Sequence, residues 1–78
     1  MNRDEFVEKW NGISSMSGLR FVQFDGGAIY ATHMMIINVM QHADGNITEQ
    51  DVIYLSKDVA GVHVDVGNIQ LDKIEGVN

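Results

Sequence analysis

Two segments of the chain share the order His, any residue, Asp, then Gly-Asn-Ile. They are His42-Ala43-Asp44-Gly45-Asn46-Ile47 and, with one residue inserted, His63-Val64-Asp65-Val66-Gly67-Asn68-Ile69. If the two copies converge, His42, Asp44, His63 and Asp65 offer imidazole nitrogens and carboxylate oxygens of the kind that hold a borderline ion such as zinc. The spelling also has a plainer origin. Asp-Gly and Gly-Asn are turn formers, and two hairpins flanked by strand residues come to share letters without sharing a ligand. We adopt the plainer reading, so neither a metal nor another cofactor is expected. Asp44, Gly45, Ile47 and Asp51 also echo the fifth, sixth, eighth and twelfth positions of a calcium loop. Its first and third positions would be Met40 and His42, which bring no carboxylate oxygen to a hard cation.

Nucleophilic chemistry is poorly served. The chain has hydroxyls at Ser14, Ser15, Ser17 and Ser56 and three histidines, but no cysteine and no strand-to-helix elbow that would expose a nucleophile. Carboxylates are plentiful, yet nothing in the sequence marks an apolar pocket that would split a pair into acid and base. Asp25-Gly26-Gly27 lacks the lysine and helix start of a phosphate-binding loop. A chain of 78 residues also has little room to enclose a substrate, and no enzymatic activity is expected.

Methionine adapts to irregular partners, and Met34, Met35 and Met40 fall close together, with Met16 further upstream. Met34 and Met35, beside Ile36 and Tyr54, make a candidate protein-binding patch, the alternative being that they fill the core. Trp10 is open to the same two readings, because aromatic anchors are enriched in small cores and at interface hot spots alike.

Charge narrows the partners. The five Lys and Arg residues face eleven Asp and Glu, for a net charge of −6. Residues 1–43 hold three basic and four acidic side chains, and residues 44–78 hold two and seven. Five scattered cations make a poor footprint for phosphates, so direct DNA binding is not expected. An acidic half suits a basic protein, including one whose own groove binds nucleic acid. Asp44, Glu49, Asp51, Asp58 and Asp65 are the carboxylates that would occupy such a groove. The longest apolar run, Met34 to Ile37, falls far short of the ~20 residues of a membrane span. The charged first ten residues are unlike a signal peptide, and without cysteine a reducing compartment is compatible. A cytoplasmic protein is the expectation.

These side chains need elements to position them. Residues 1–13 read as an N-terminal helix: acids lie in its first turn, Glu5 and Lys9 are four apart, Phe6, Trp10 and Ile13 share a face, and Asn11-Gly12 ends it. Ser14 to Gly18 is a polar connector. Residues 19–78 read as a β-rich body, the whole forming a single small domain. Leu19–Phe24 and Ala28–Tyr30 flank Asp25-Gly26-Gly27 as a hairpin. Asp44-Gly45 as a two-residue turn pairs Met35 with Tyr54, Ile36 with Ile53 and Ile37 with Val52. Lys57–Gly61 is read as a loop returning Val52–Ser56 onto Val62–Val66, and Gly67-Asn68 as a turn before a strand containing Ile69, Leu71 and Ile74. A competing pattern makes residues 28–61 a helical hairpin, with stripes at Ile29, Ile36, Val39, Met40 and Ala43 and at Val52, Leu55 and Val59. That alternative is an α+β fold with a central helical hairpin and a C-terminal β-hairpin.

The favoured order, a short helix and five consecutively paired antiparallel strands, resembles the small SH3-like or Sm-like barrels. The resemblance is topological, rests on the Val52–Glu75 stretch with its alternating valines and short final strand, and carries a fold expectation only. The function expected from the residues is a small acidic regulator, adaptor or inhibitor acting by protein contact. In size and charge it is similar to phage-encoded inhibitors, and a nucleic-acid-mimicking inhibitor is its sharpest form. The candidate partner-binding residues are Asp44, Glu49, Asp51, Asp58, Asp65, Met34, Met35, Tyr54 and Trp10. The alternatives are a homo-oligomeric small barrel that binds RNA or another ligand, and the His/Asp metal module described first.

Overall fold

The computed structural model describes residues 1–14 and 16–78, so Ser15, named above among the hydroxyls and connector residues, lies outside the described residues. The N-terminal residues form helix α1 (Arg3–Asn11). Asn2 caps it by accepting the Glu5 N–H at 2.8 Å, Asp4 and Glu5 face its positive end, and the Gly12 N–H closes its C-terminus on the Glu8 carbonyl. A nine-residue helix is unstable alone. It is held because Phe6 and Trp10 are buried in the core and because Arg20 stacks over the Trp10 ring, 4.7 Å from its centroid, while its Nε donates to the Trp10 carbonyl.

Among the described residues six strands follow: β1 (Arg20–Phe24), β2 (Gly27–Ala31), β3 (His33–Ala43), β4 (Asn46–Val59), β5 (Val62–Gln70) and β6 (Ile74–Val77), with a 3-10 turn, Leu71–Lys73, before the last. They make two three-stranded antiparallel sheets, ordered β2-β1-β6 and β3-β4-β5. The chain is therefore mostly β with one short helix, and the helical alternative for residues 28–61 does not form. Among the described residues the strands do not close into the expected five-stranded barrel. The reason lies at Thr32, the one residue between β2 and β3. Its N–H bonds to the Ser56 carbonyl, so the chain leaves the first sheet there and enters the second. The free side of β1 is taken by β6, a distant strand, rather than by a sequential neighbour.

The β3–β4 register is the one the Asp44-Gly45 turn dictates, including Met35 with Tyr54, Ile36 with Ile53 and Ile37 with Val52. Asp44 and Gly45 both have positive φ, 52° and 75°, as a two-residue hairpin turn with right-handed strand twist requires. The β4–β5 connection departs from expectation. Lys57–Gly61 is not a loop: β4 runs on to Val59, pairing Lys57 with Val64 and Asp58 with His63, and the turn is Ala60-Gly61. Nor is Gly67-Asn68 a turn. Gly67, at φ 140°, follows a bulge inside β5, where the ladder passes from Ser56–Asp65 to Leu55–Gly67 and leaves Val66 as the extra residue.

Side chains directly opposite in an antiparallel ladder share a face. The inner face of β3-β4-β5 carries Met34, Ile36, Ile53, Leu55 and Ile69. They pack with Phe6 and Trp10 of α1, Val22, Ala31, Leu71, Ile74 and Val77 into one core. The molecule measures 47 × 25 × 23 Å, and its long axis fits the reach of β4. Beyond Val52 toward Asn46, β4 is paired with β3 alone, and this ribbon is mostly exposed.

Candidate functional site

The outer face of the same sheet carries His33, Met35, Ile37 and Val39 from β3, Val52, Tyr54, Ser56 and Asp58 from β4, and His63 and Asp65 from β5, as the paired registers require. Two features stand side by side on it. The first is apolar. Met35 is 59% exposed and Ile37 38%, whereas Val52 is only 8% exposed and stands outside the core cluster. Beside it lies a cavity of about 430 Å³ lined by His33, Met35, Tyr54, Ser56, His63 and Asp65, with Met34 and Leu55 behind.

The second feature is a cluster at the rim of that cavity. His63 Nε2 stands 2.8 Å from Asp58 Oδ1, and His33 Nδ1 stands 3.9 Å from Asp58 Oδ2. The two imidazole rings lie 4.4 Å apart between centroids and are tilted by 36°. Thr32 anchors the group: its Oγ1 accepts the Asp58 N–H at 3.0 Å and lies 2.8 Å from His33 Nδ1. Asp65 is turned to its own strand, where its Oδ1 accepts the Gly67 N–H at 3.2 Å.

The residues singled out in the sequence are thus divided. Met35, Tyr54, Asp58 and Asp65 share the outer face, and Met34 faces the core from the opposite side of β3. Trp10, 6% exposed, is a core residue, the structural one of its two readings. Glu49 and Asp51 lie on the other face of the sheet, with Asn38 Nδ2 donating to Asp51 Oδ1, and Asp44 is in the hairpin turn. Asp58 lies seven positions along β4 from Asp51, about 23 Å of extended chain, so the five carboxylates do not form one strip.

The His42, Asp44, His63, Asp65 set does not assemble. His42 is nine residues up β3 from His33, about 30 Å of strand, because the two similar spellings belong to opposite ends of the sheet. Sequence reasoning missed His33 as a partner of His63. The signal was present in the β3–β4 register, which, extended two residues from Met35–Tyr54, puts His33 opposite Ser56 and diagonal to Asp58. Reading residues 57–61 as a loop hid the Asp58–His63 pair that completes the cluster.

Comparison of the chain with protein-family models, with curated proteins and with solved structures returned no match. Among the described residues no helix is long and apolar enough to cross a membrane.

Proposed function

We propose that the chain is a non-enzymatic binding protein, an adaptor or inhibitor, that acts by protein contact through the outer face of β3-β4-β5. The observation that carries this reading is the exposed row of Met35 and Ile37 over half-buried Tyr54 and covered Val52. It is an apolar surface beside a concavity, of the kind an interface core uses. Asp58 and Asp65 at its rim, with the net charge of −6, favour a partner that brings an apolar side chain into the cavity and basic groups to the edge. The mimicry form of the proposal draws less support, since Asp44, Glu49 and Asp51 lie away from this face.

The test is a paired substitution. Met35→Asp places a charge in the apolar row, and Ile47→Asp places the same charge on the exposed ribbon at the far end. Both sites are exposed, so both variants should unfold close to the wild-type temperature. Met35→Asp should weaken capture of a near one-to-one protein partner by about 2 kcal/mol, roughly thirtyfold, and Ile47→Asp should leave it unchanged. Equal capture by wild type and Met35→Asp would end the proposal.

One observation favours a second reading. β3 is an eleven-residue edge strand, a template for strand addition between copies, as an oligomeric module binding RNA or another ligand would use. A purified chain that sediments as a monomer at high micromolar concentration argues for the different-protein reading, and an oligomer indifferent to Met35→Asp argues for the edge.

A further inference from the structure

We propose that His33, Asp58 and His63 form a binding site for a single zinc ion. The three residues come from the three neighbouring strands of one sheet, β3, β4 and β5, and each offers a ligand atom within 4.8 Å of the others. Ligands 2.0–2.2 Å from a tetrahedral zinc ion stand about 3.4 Å apart. His63 Nε2 and Asp58 Oδ1 stand 2.8 Å apart and the three ligand atoms all lie within 4.8 Å of one another, a spread that side-chain rotation can close to that spacing.

The donor types select the ion. Two imidazole nitrogens and one carboxylate oxygen suit zinc, whereas calcium and magnesium take oxygen ligands. Three protein ligands leave a fourth position open, and His33 and His63 both line the cavity.

The surroundings also fit. A histidine that binds a metal through one ring nitrogen is usually held by a hydrogen bond at the other. Thr32 Oγ1, 2.8 Å from His33 Nδ1, is placed to accept an Nδ1 proton when Nε2 turns to the ion. The same hydroxyl accepts the Asp58 N–H, so one side chain ties two of the three ligand residues to the point where the chain changes sheets. All three cluster residues are exposed, and a cation between the two imidazoles and Asp58 gives their close approach a physical cause.

The proposal is tested by calorimetric titration of the untagged full chain with zinc, alongside His33→Ala, His63→Ala and Asp58→Asn, with His42→Ala as the control histidine. The expected result is one zinc per chain, affinity lowered at least about tenfold by each of the three substitutions, no change with His42→Ala, and no saturable binding of magnesium. Because the altered side chains are exposed, far-UV circular dichroism should match wild type in each case. Cobalt in place of zinc supplies an independent readout, a visible absorption that His63→Ala removes. Absence of saturable zinc binding, binding that survives both histidine substitutions, or half an equivalent of zinc shared between two chains would overturn the site.

Discussion

Phe6→Ala is expected to lower the unfolding free energy by about 3–5 kcal/mol. The ring is 0% exposed, sits 6.0 Å from the Trp10 ring, and is the deepest attachment of α1 to the sheets. A domain of this size has a total stability of roughly 4–12 kcal/mol, so the loss is a large share of the whole, and at the lower end a substantial fraction of the chain unfolds at body temperature. Urea denaturation followed by Trp10 fluorescence reads the effect directly. The Asn2 cap and the Arg20 clamp on Trp10 survive the substitution but are each worth only about 1 kcal/mol, too little to keep the helix docked. A cost below about 1 kcal/mol would show that the helix does not close the core.

The second large effect is expected at Gly67, for a different reason. Its φ of 140° is one that L side chains rarely adopt, and a Cβ there would come within 3.3 Å of Ile29 Cδ1 on β2. Gly67→Val therefore combines backbone strain with overpacking, each about 1–3 kcal/mol, for a total of about 2–6 kcal/mol. The consequence reaches the outer face. In a strictly alternating strand His63, Asp65, Gly67 and Ile69 would share one face, and either Ile69 would be exposed or His63 and Asp65 would be buried. The bulge at Val66 lets Ile69 enter the core opposite Ile53 while His63 stays outside opposite Asp58. Gly67→Val should accordingly perturb the His63 ring and its neighbour His33 as well as stability, which histidine resonances in a proton–carbon NMR spectrum would register. Unchanged histidine shifts in a destabilised but folded variant would uncouple the bulge from the cluster.

These two positions also mark how far the sequence could be read. The helix was legible because its cap region, first-turn acids and apolar face agree, and the β3–β4 ladder because one Asp-Gly turn sets every pair from Ala43–Asn46 to His33–Ser56. The β4–β5 ladder was not, since a glycine that serves a bulge has the same spelling as one that serves a turn. The pairing of β1 with β6 joins residues fifty or more positions apart and leaves no local mark, and the change of sheet at Thr32 rests on bonds to Ser56 and Asp58 that no pattern announces. The site followed suit. Met35, Tyr54, Asp58 and Asp65 were named and fall on one face, whereas Glu49 and Asp51 turn to the other because alternation separates them from Asp58. The alternative that grouped His63 with His42, Asp44 and Asp65 follows the shared spelling, whereas its contact with Asp58 follows from position in the ladder.

We propose that a different protein covers the Met35–Tyr54 face. Site-specific photo-crosslinking tests it most directly, with the reactive side chain placed at Ile37 in one preparation and at Ile47 in another, each irradiated in lysate of the source cells. The expected result is a discrete adduct of the chain with one other protein from position 37, competed away by the unlabelled wild-type chain but not by Met35→Asp, and no such adduct from position 47. Adducts from position 37 that contain only a second copy of the chain, or the same adduct from both positions, would contradict it.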